Sequence, residues 1–277
     1  MFKSKFLIIS SCAALLACQS ELNGSAASRP SNPADMEMRA TSDLYAPAPI
    51  TQISFVPNNV ASWLGHIIMV DENGDLHRAT TNSKVIPVKK GSFKDVIGLD
   101  RPNKAGAFLA LTESGRLQAY IEADDDGNFK VIPLSAPEIS LQQFCQANTA
   151  DEGRILARTD NGELRAYDIE FADENSANLS LAIDAQNESA CEPLKLKEGG
   201  PALTLKPDTP YLNFGDKQAE IINGLSIQGL STPGYATLTH ENMGSVFADG
   251  LVIAADSQSG RLILIARSYL LDALNEN

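Results

Sequence analysis

Side chains that could do chemistry are sparse in this sequence. Its three histidines, His66, His77 and His240, stand at different positions relative to the neighbouring turns, so the sequence does not predict that they cluster. It holds no Gly-x-Ser-x-Gly, His-Glu-x-x-His or phosphate-cradling glycine motif. Asp95 is the only acid in the four stretches that we predict to line the centre of the fold, 61–64, 93–97, 141–145 and 234–238, whereas acid–base hydrolysis needs two positioned carboxylates. The sequence therefore favours a protein that is not an enzyme.

One acidic run could bind a metal ion. Asp124 and Asp126 precede Gly127, and alternate carboxylates followed by glycine can wrap Ca²⁺. The run bridges two predicted strands, however, and no glutamate follows at the spacing of a calcium loop. A solvated hairpin turn explains the same residues. Calcium at Asp124 and Asp126 is thus the lesser of two interpretations, and we predict no other metal or cofactor.

The elements that would position any site follow from a repeat. An apolar run, a polar turn ending in glycine and an alternating run occur four times, and the turn glycines are Gly74, Gly115, Gly162 and Gly260. Each copy predicts a β-hairpin in which glycine supplies a positive φ. The first two steps are 41 and 47 residues long, and a degenerate copy at 202–214, with its turn at 207–210, divides the remaining gap.

A repeat of about 40–50 residues with four short strands is the signature of a β-propeller. We therefore predict an all-β fold, a β-propeller of five four-stranded blades, over residues 50–268. The blades would cover roughly 60–88, 93–134, 141–183, 190–227 and the chain from 235 onward. Ile50–Val56 would close the ring as the missing fourth strand of the last blade, which removes an open edge. Residues 269–277 would form a tail or a short helix, and two β-sandwich halves are the alternative fold.

The charge of the chain restricts its partners. The formal net charge is −13, so the protein repels phosphate backbones and nucleic acid is not an expected partner. No stretch after residue 18 is apolar for long enough to cross a bilayer.

Residues 1–17 have the layout of a targeting signal. Lys3 and Lys5 form a charged region, and residues 6–16 form an apolar one. The segment ends in Leu15-Leu16-Ala17-Cys18, which resembles the lipobox of bacterial lipoprotein signal peptides. That resemblance implies cleavage before Cys18 and lipidation of its thiol. An ordinary secretory signal cut after Ala17 is the alternative.

The residues that follow indicate where the protein would reside. Residue 19 is Gln rather than the Asp that, by the same resemblance, retains lipoproteins in the inner membrane. We therefore expect a lipid-anchored protein of the bacterial outer membrane that faces the periplasm. Residues 18–49 are rich in Ser, Ala, Pro, Asn and Gly without an apolar period, and they predict a flexible tether.

Two further cysteines, Cys145 and Cys191, are 46 residues apart, which is close to one repeat. Both precede comparable positions in consecutive blades, and the first strands of adjacent blades are neighbours around the axis. Because an exported protein meets an oxidising compartment, we predict a Cys145–Cys191 disulfide. Two buried thiols or a metal pair are the alternatives.

The loops divide into two faces. The glycine turns should share one face with the connections between blades, and the opposite face should carry the longer loops, where recognition usually occurs. Near the longest loop of the last blade, an apolar contact patch is predicted from Tyr235, His240, Met243 and Phe247. Alternatively, these side chains fold beneath the loop as a local core.

Two stretches of the repeat resemble known propeller families. Residues 160–168, Asp-Asn-Gly-Glu-Leu-Arg-Ala-Tyr-Asp, are similar to PQQ-like repeats, as in the outer-membrane-barrel assembly lipoprotein. Residues 110–117, Ala-Leu-Thr-Glu-Ser-Gly-Arg-Leu, are similar to repeats of the regulator of chromosome condensation family. The resemblance implies noncatalytic protein docking. We therefore expect an envelope scaffold that binds an envelope protein, with a carbohydrate- or peptidoglycan-directed protein and a surface adhesion lipoprotein as alternatives.

Overall fold

The computed structural model describes residues 34–58, 61–101, 106–125, 128–136, 138–145, 149–151, 154–173, 176–181, 191, 194–197, 199–206 and 209–275. The predicted signal peptide, Cys18 and the first half of the predicted tether lie outside these residues. The compact unit begins at Ala34, well before the domain start predicted at residue 50. Within the described part of the chain, no helix has the length and apolar character needed to cross a bilayer.

Strands make up most of the fold and form five sheets. Two short strands come first in the chain, β1 (Met36–Arg39) and β2 (Ser42–Tyr45). The first sheet is an antiparallel meander of β3 (Ile50–Val56), β4 (His66–Asp71), β5 (Leu76–Ala79) and β6 (Ile86–Lys89). The second sheet repeats that order with β7 (Phe93–Asp100), β8 (Ala107–Thr112), β9 (Leu117–Asp125) and β10 (Asn128–Leu134).

The next strands are β11 (Leu141–Phe144), β12 (Thr149–Asp151), β13 (Arg154–Thr159), β14 (Leu164–Asp173) and β15 (Ser176–Leu181). The third sheet contains four of them, and β12 instead pairs in parallel with β7. The last two sheets use β16 (Leu203–Leu205), β17 (Tyr211–Phe214), β18 (Lys217–Ile222), β19 (Pro233–Thr239), β20 (Leu251–Asp256) and β21 (Arg261–Ala266). A terminal helix, α1 (Arg267–Asn275), follows, as the predicted short helix would.

The chain start completes the fourth and fifth sheets. β1 pairs in parallel with β18, and β2 pairs antiparallel with β21. The prediction that Ile50–Val56 is the fourth strand of the last blade is therefore wrong, because this strand opens the first sheet. Its last four residues are all buried, which suits an inner strand, whereas β2 buries only Leu44 and suits an outer edge. The predicted tether is likewise wrong for residues 36–45.

Neighbouring sheets pack face to face. The first strands of successive sheets lie against one another, β3 against β7 and β19, β7 against β11, and β16 against β19. Clusters of buried apolar side chains fill the spaces between the fifth and first, first and second, second and third, and fourth and fifth sheets. Because both faces of a sheet are covered, strands such as β4 are buried at every position instead of at alternate ones.

The recurring turns are three-residue hairpins closed by one left-handed glycine. Gly74, Gly115 and Gly162 have φ between 76° and 81°, as predicted. In the first of them, the amide of Gly74 donates to the carbonyl of Asp71 at 2.9 Å, and the amide of Asp71 donates to the carbonyl of Asp75 at 3.1 Å. This is the type I turn followed by a glycine bulge that links many antiparallel strands.

Two turn predictions need correction. In the fourth sheet the equivalent turn lies between β17 and β18 and contains Gly215, with φ of 65°. The predicted turn at 207–210 instead joins β16 to β17, at the other end of the sheet, and residues 207–208 lie outside the described part. Gly260 is not among the described glycines with a positive φ. A side chain there would collide with the backbone carbonyl of Ala46, so the approach of the β2 segment requires glycine.

A test separates a structural role for residues 36–45 from a tether. Met38 is 1 % exposed in the core between the fourth and fifth sheets, so Met38→Ala should lower the free energy of unfolding by about 3 kcal/mol. Tyr45, in the neighbouring β2, is 65 % exposed, and Tyr45→Ala should change it by less than about 0.5 kcal/mol. Urea unfolding followed by circular dichroism measures both. Equal, negligible effects would mean that β1 is not part of the folded domain.

Candidate functional site

A β-bulge recurs in the first strand of four sheets. The pairing with the second strand shifts between Ile50 and Gln52, Phe93 and Asp95, Leu141 and Gln143, and Pro233 and Tyr235. In each case the residue before the shift lies opposite the last residue of the second strand, where the glycine turn begins. The four bulges therefore lie at one level, at the end of the fold that carries the glycine turns. Bulges re-aim side chains and recur next to functional sites.

Each bulge leaves two successive residues with accessible surface, whereas the residues directly after them are mostly buried. These pairs are Thr51–Gln52, Lys94–Asp95, Gln142–Gln143 and Gly234–Tyr235. We call these eight residues the axial mouth. Sequence reasoning singled out Asp95 in a first strand and Tyr235 in the contact patch. It missed the common level because an extra residue leaves no mark in an alternating pattern.

Side chains of one first strand bond to the backbone of the next. Asp95 Oδ2 accepts from the amide of Phe144 at 2.7 Å, which joins β7 to β11. Ser54 Oγ accepts from the amide of Gly98 at 2.9 Å, which joins β3 to β7. A side chain at residue 98 would collide with the carbonyl of Phe55, so glycine permits this close approach. These contacts satisfy backbone groups on the inner edges of the strands.

Tyr235 makes the corresponding link between β19 and β3. Its hydroxyl lies 3.3 Å from Oε1 of Gln52 and 3.5 Å from the carbonyl of Ile53. Burial raises the pKa of Tyr235 to about 12, the hydrogen bonds with Ile53 and Thr237 oppose the rise, and the charge of Asp95 adds to it. The tyrosine therefore remains a neutral hydroxyl that can donate.

Asp95 is the electrostatically unusual group of the mouth. Burial raises its pKa from 3.8 to about 6, although the amides of Phe144 and Val96 and the charge of Lys94 all oppose the rise. Asp95 and Tyr235 are thus strongly desolvated and still keep some accessible surface.

The predicted disulfide is present and lies beside the mouth. Cys145 follows β11 directly and pairs with Cys191, with their Cα atoms 4.5 Å apart. Nε2 of Gln143 lies 3.6 Å from Sγ of Cys191. Leu196, a few residues further on, is buried in the core between the fourth and fifth sheets. The disulfide therefore ties the third sheet to the segment that leads into the fourth.

The predicted apolar contact patch does not form. Met243 and Phe247 are each 1 % exposed and belong to the core between the fifth and first sheets, because the short 3₁₀ helix Ser245–Phe247 folds them beneath the loop. Tyr235 lies in the axial mouth. His240 is exposed, and its Nε2 lies 2.7 Å from the carbonyl of Lys195.

The calcium hypothesis gains no support from the described residues. Asp124 lies in β9, and Asp126 is outside the described part of the chain. Groups of three or more potential metal ligands do not occur among the residues that the structure describes.

His66 and His77 each pair with a carboxylate inside the fold. Nε2 of His77 lies 2.9 Å from Oδ2 of Asp71, whose Oδ1 accepts from the turn amides of Asn73 and Asp75 at 2.9 Å. This pair braces the first glycine turn.

Nδ1 of His66 lies 3.1 Å from Oε2 of Glu122, across the boundary between the first and second sheets. Arg78 is buried nearby, and burial lowers its pKa to about 10 although the charge of Glu122 opposes the fall. Sequence analysis missed this charge cluster because its members come from different repeats.

Comparison with known proteins gives little. No family model matches the chain, and no curated protein does. Among solved structures, one that matches is the crystal structure of the N-terminal domain of Nup159, at 13 % identity and a TM-score of 0.31. The match covers 79 % of this chain and 65 % of that one, so this chain spans just under two thirds of its length. At that similarity no residue or activity is carried over.

The raised pKa of Asp95 makes stability depend on pH. A carboxyl group whose pKa is higher in the folded state contributes most below its unfolded pKa, and the contribution is lost as the pH rises through the folded pKa. A rise from 3.8 to about 6 corresponds to about 3 kcal/mol lost between acid and neutral pH. Asp95→Asn removes this pH dependence. Between pH 4 and pH 7, the free energy of unfolding of wild type should therefore fall by up to about 3 kcal/mol more than that of the variant.

Urea unfolding at the two pH values measures this difference, and the exposed Glu113→Gln is the matched control that should follow wild type. Parallel pH profiles of wild type and Asp95→Asn would show that the carboxyl group is not desolvated in the folded protein.

Proposed function

We propose that this chain is a lipid-anchored, noncatalytic binding module of a bacterial envelope, and that its ligand docks at the axial mouth. The observation that carries the proposal is the bulge repeated in four first strands, which presents polar side chains at one level. Each bulge locally disrupts the hydrogen bonds between two paired strands. Four at one level imply a common use for the side chains that they present.

The proposal includes a closed ring of five blades. Successive first strands lie against one another in the order third to second to first to fifth to fourth sheet. The Cys145–Cys191 disulfide joins the third sheet to the lead into the fourth, which is the remaining junction of the ring. Strands β1 and β2 supply outer strands to the fourth and fifth sheets from the chain start. A closed propeller would hold the axial mouth rigid, which lowers the entropic cost of binding.

Several features support a binding role rather than catalysis. Asp95 is the single carboxylate of the axial mouth, and hydrolysis by general acid and base uses two. Both of its oxygens already accept backbone amides, those of Val96 and Phe144. Its neighbour Lys94 offsets its charge. Asp95 is therefore engaged in holding the strands.

The proposed location in the bacterial envelope rests on the sequence at Cys18. A lipobox-like signal there would place the lipid anchor 18 residues before β1. Residues 18–33 would then form the tether, shorter than the stretch first predicted, with a reach of at most about 55 Å when extended. That reach keeps the domain close to an outer membrane on its periplasmic side.

Photocrosslinking in living cells tests the binding role. A photoreactive benzoylphenylalanine in place of Gln142, which is exposed at the mouth, should give a specific adduct of higher mass on irradiation. The same residue in place of Gln258, exposed in the glycine turn of the fifth sheet, is the control and should give none. Adducts at both positions alike, or at neither, would count against a ligand at the axial mouth.

A further inference from the structure

Backbone groups on the inner edges of the first strands β3, β7 and β11 already have partners, which disfavours an added strand there. Proteins often capture extended peptides by main-chain pairing along a free strand edge. Here the amides of Gly98 and Phe144 are taken by Ser54 and Asp95. The hydroxyl of Tyr235 lies against the carbonyl of Ile53.

At the far end of β7, β12 pairs along the same inner edge. A ligand at the mouth therefore meets side chains rather than a free backbone ladder.

The accessible side chains of the mouth are mostly neutral amides and hydroxyls. Gln52, Gln142 and Gln143 each carry a planar amide that can donate and accept. Oε1 of Gln52 already accepts from the hydroxyl of Tyr235, and Nε2 of Gln143 lies 3.6 Å from Sγ of Cys191, so a ligand would use Nε2 of Gln52, Oε1 of Gln143 and the whole amide of Gln142. The hydroxyl of Thr51 donates to the carbonyl of Val70 at 3.2 Å and can still accept. Such groups pair with a ligand that itself offers donors and acceptors side by side.

Other ligand classes fit this surface less well. An anionic polymer would meet one cation, Lys94, on a protein of net charge −13. A cationic segment would meet one carboxylate, Asp95, whose oxygens are already engaged. An apolar helix would need large exposed apolar side chains, and those of the described residues lie outside the mouth, at Tyr45, Leu64, Ile86, Ile132, Leu225, Val246 and Tyr269.

We propose that the axial mouth binds a neutral saccharide chain, whose hydroxyl and acetamido groups hydrogen bond to Gln52, Gln142 and Gln143. A saccharide offers adjacent donors and acceptors, no net charge and no backbone ladder, and each of these properties matches the mouth. The inference rests on the proposed function, because it names the ligand class of the same site.

Direct titration tests the saccharide. The full chain, purified from membranes in detergent, is titrated with tetramers of N-acetylglucosamine and of glucose, followed by saturation-transfer NMR. At least one tetramer should bind with Kd below about 5 mM. Gln142→Ala should weaken that binding at least about tenfold, and Gln52→Ala should do the same. Gln258 is an exposed glutamine at the same end of the fold, and Gln258→Ala should leave Kd within about twofold of the wild-type value.

The outcomes separate this inference from the proposed function. If neither tetramer binds, or if Gln142→Ala binds as wild type does, the saccharide inference is overturned. A protein adduct from the photoreactive residue at position 142, together with no saccharide binding, overturns the inference and leaves the binding module in place. No adduct and no saccharide binding would overturn both.

Discussion

The packing of the sheets depends on satisfying the backbone at the inner edges of the first strands β3, β7 and β11. The first strands of neighbouring sheets pack against one another without pairing, apart from the end of β7 that pairs with β12, so one edge of these strands needs other hydrogen-bond partners. A buried backbone group without a hydrogen bond costs about as much as a lost one. The chain meets this constraint with side chains: Ser54, Asp95 and Tyr235 each reach the backbone of the neighbouring first strand. The same contacts set the spacing of the sheets and shape the axial mouth.

At the outer edges of the fourth and fifth sheets, the last strand comes from the beginning of the chain. β1 and β2 complete two sheets from a region whose composition predicts a tether, and the disulfide ties the third sheet toward the fourth. The contact made by Asp95 has an electrostatic consequence. Its position between two strands removes its carboxylate from water, which raises its pKa. Both oxygens of Asp95 accept backbone amides, those of Val96 and Phe144, so this side chain holds the strands together.

Local patterns predicted the hairpins well and distant pairings poorly. The second sheet runs from Phe93 to Leu134 in four strands, as the blade predicted at 93–134 does, since turn glycines and apolar runs are local signals. The role of Ile50–Val56 was wrong because its pattern suits an inner strand and an outer one alike, and only the pairing of β2 with β21 decides between them. The four bulges were missed because an extra residue leaves no mark in an alternating pattern. The pair of His66 with Glu122 was missed because its members come from different repeats.

Hydrogen exchange at the Phe144 amide tests most directly whether side chains close the inner edges. In wild type, this amide should be strongly protected although it donates to the side chain of Asp95 and not to a neighbouring strand. In Asp95→Ala its protection should fall, while that of the Gly98 amide, which donates to Ser54, persists. Residue-resolved exchange by NMR or mass spectrometry provides the measurement. A Phe144 amide that exchanges as fast as an exposed loop in wild type would contradict the account.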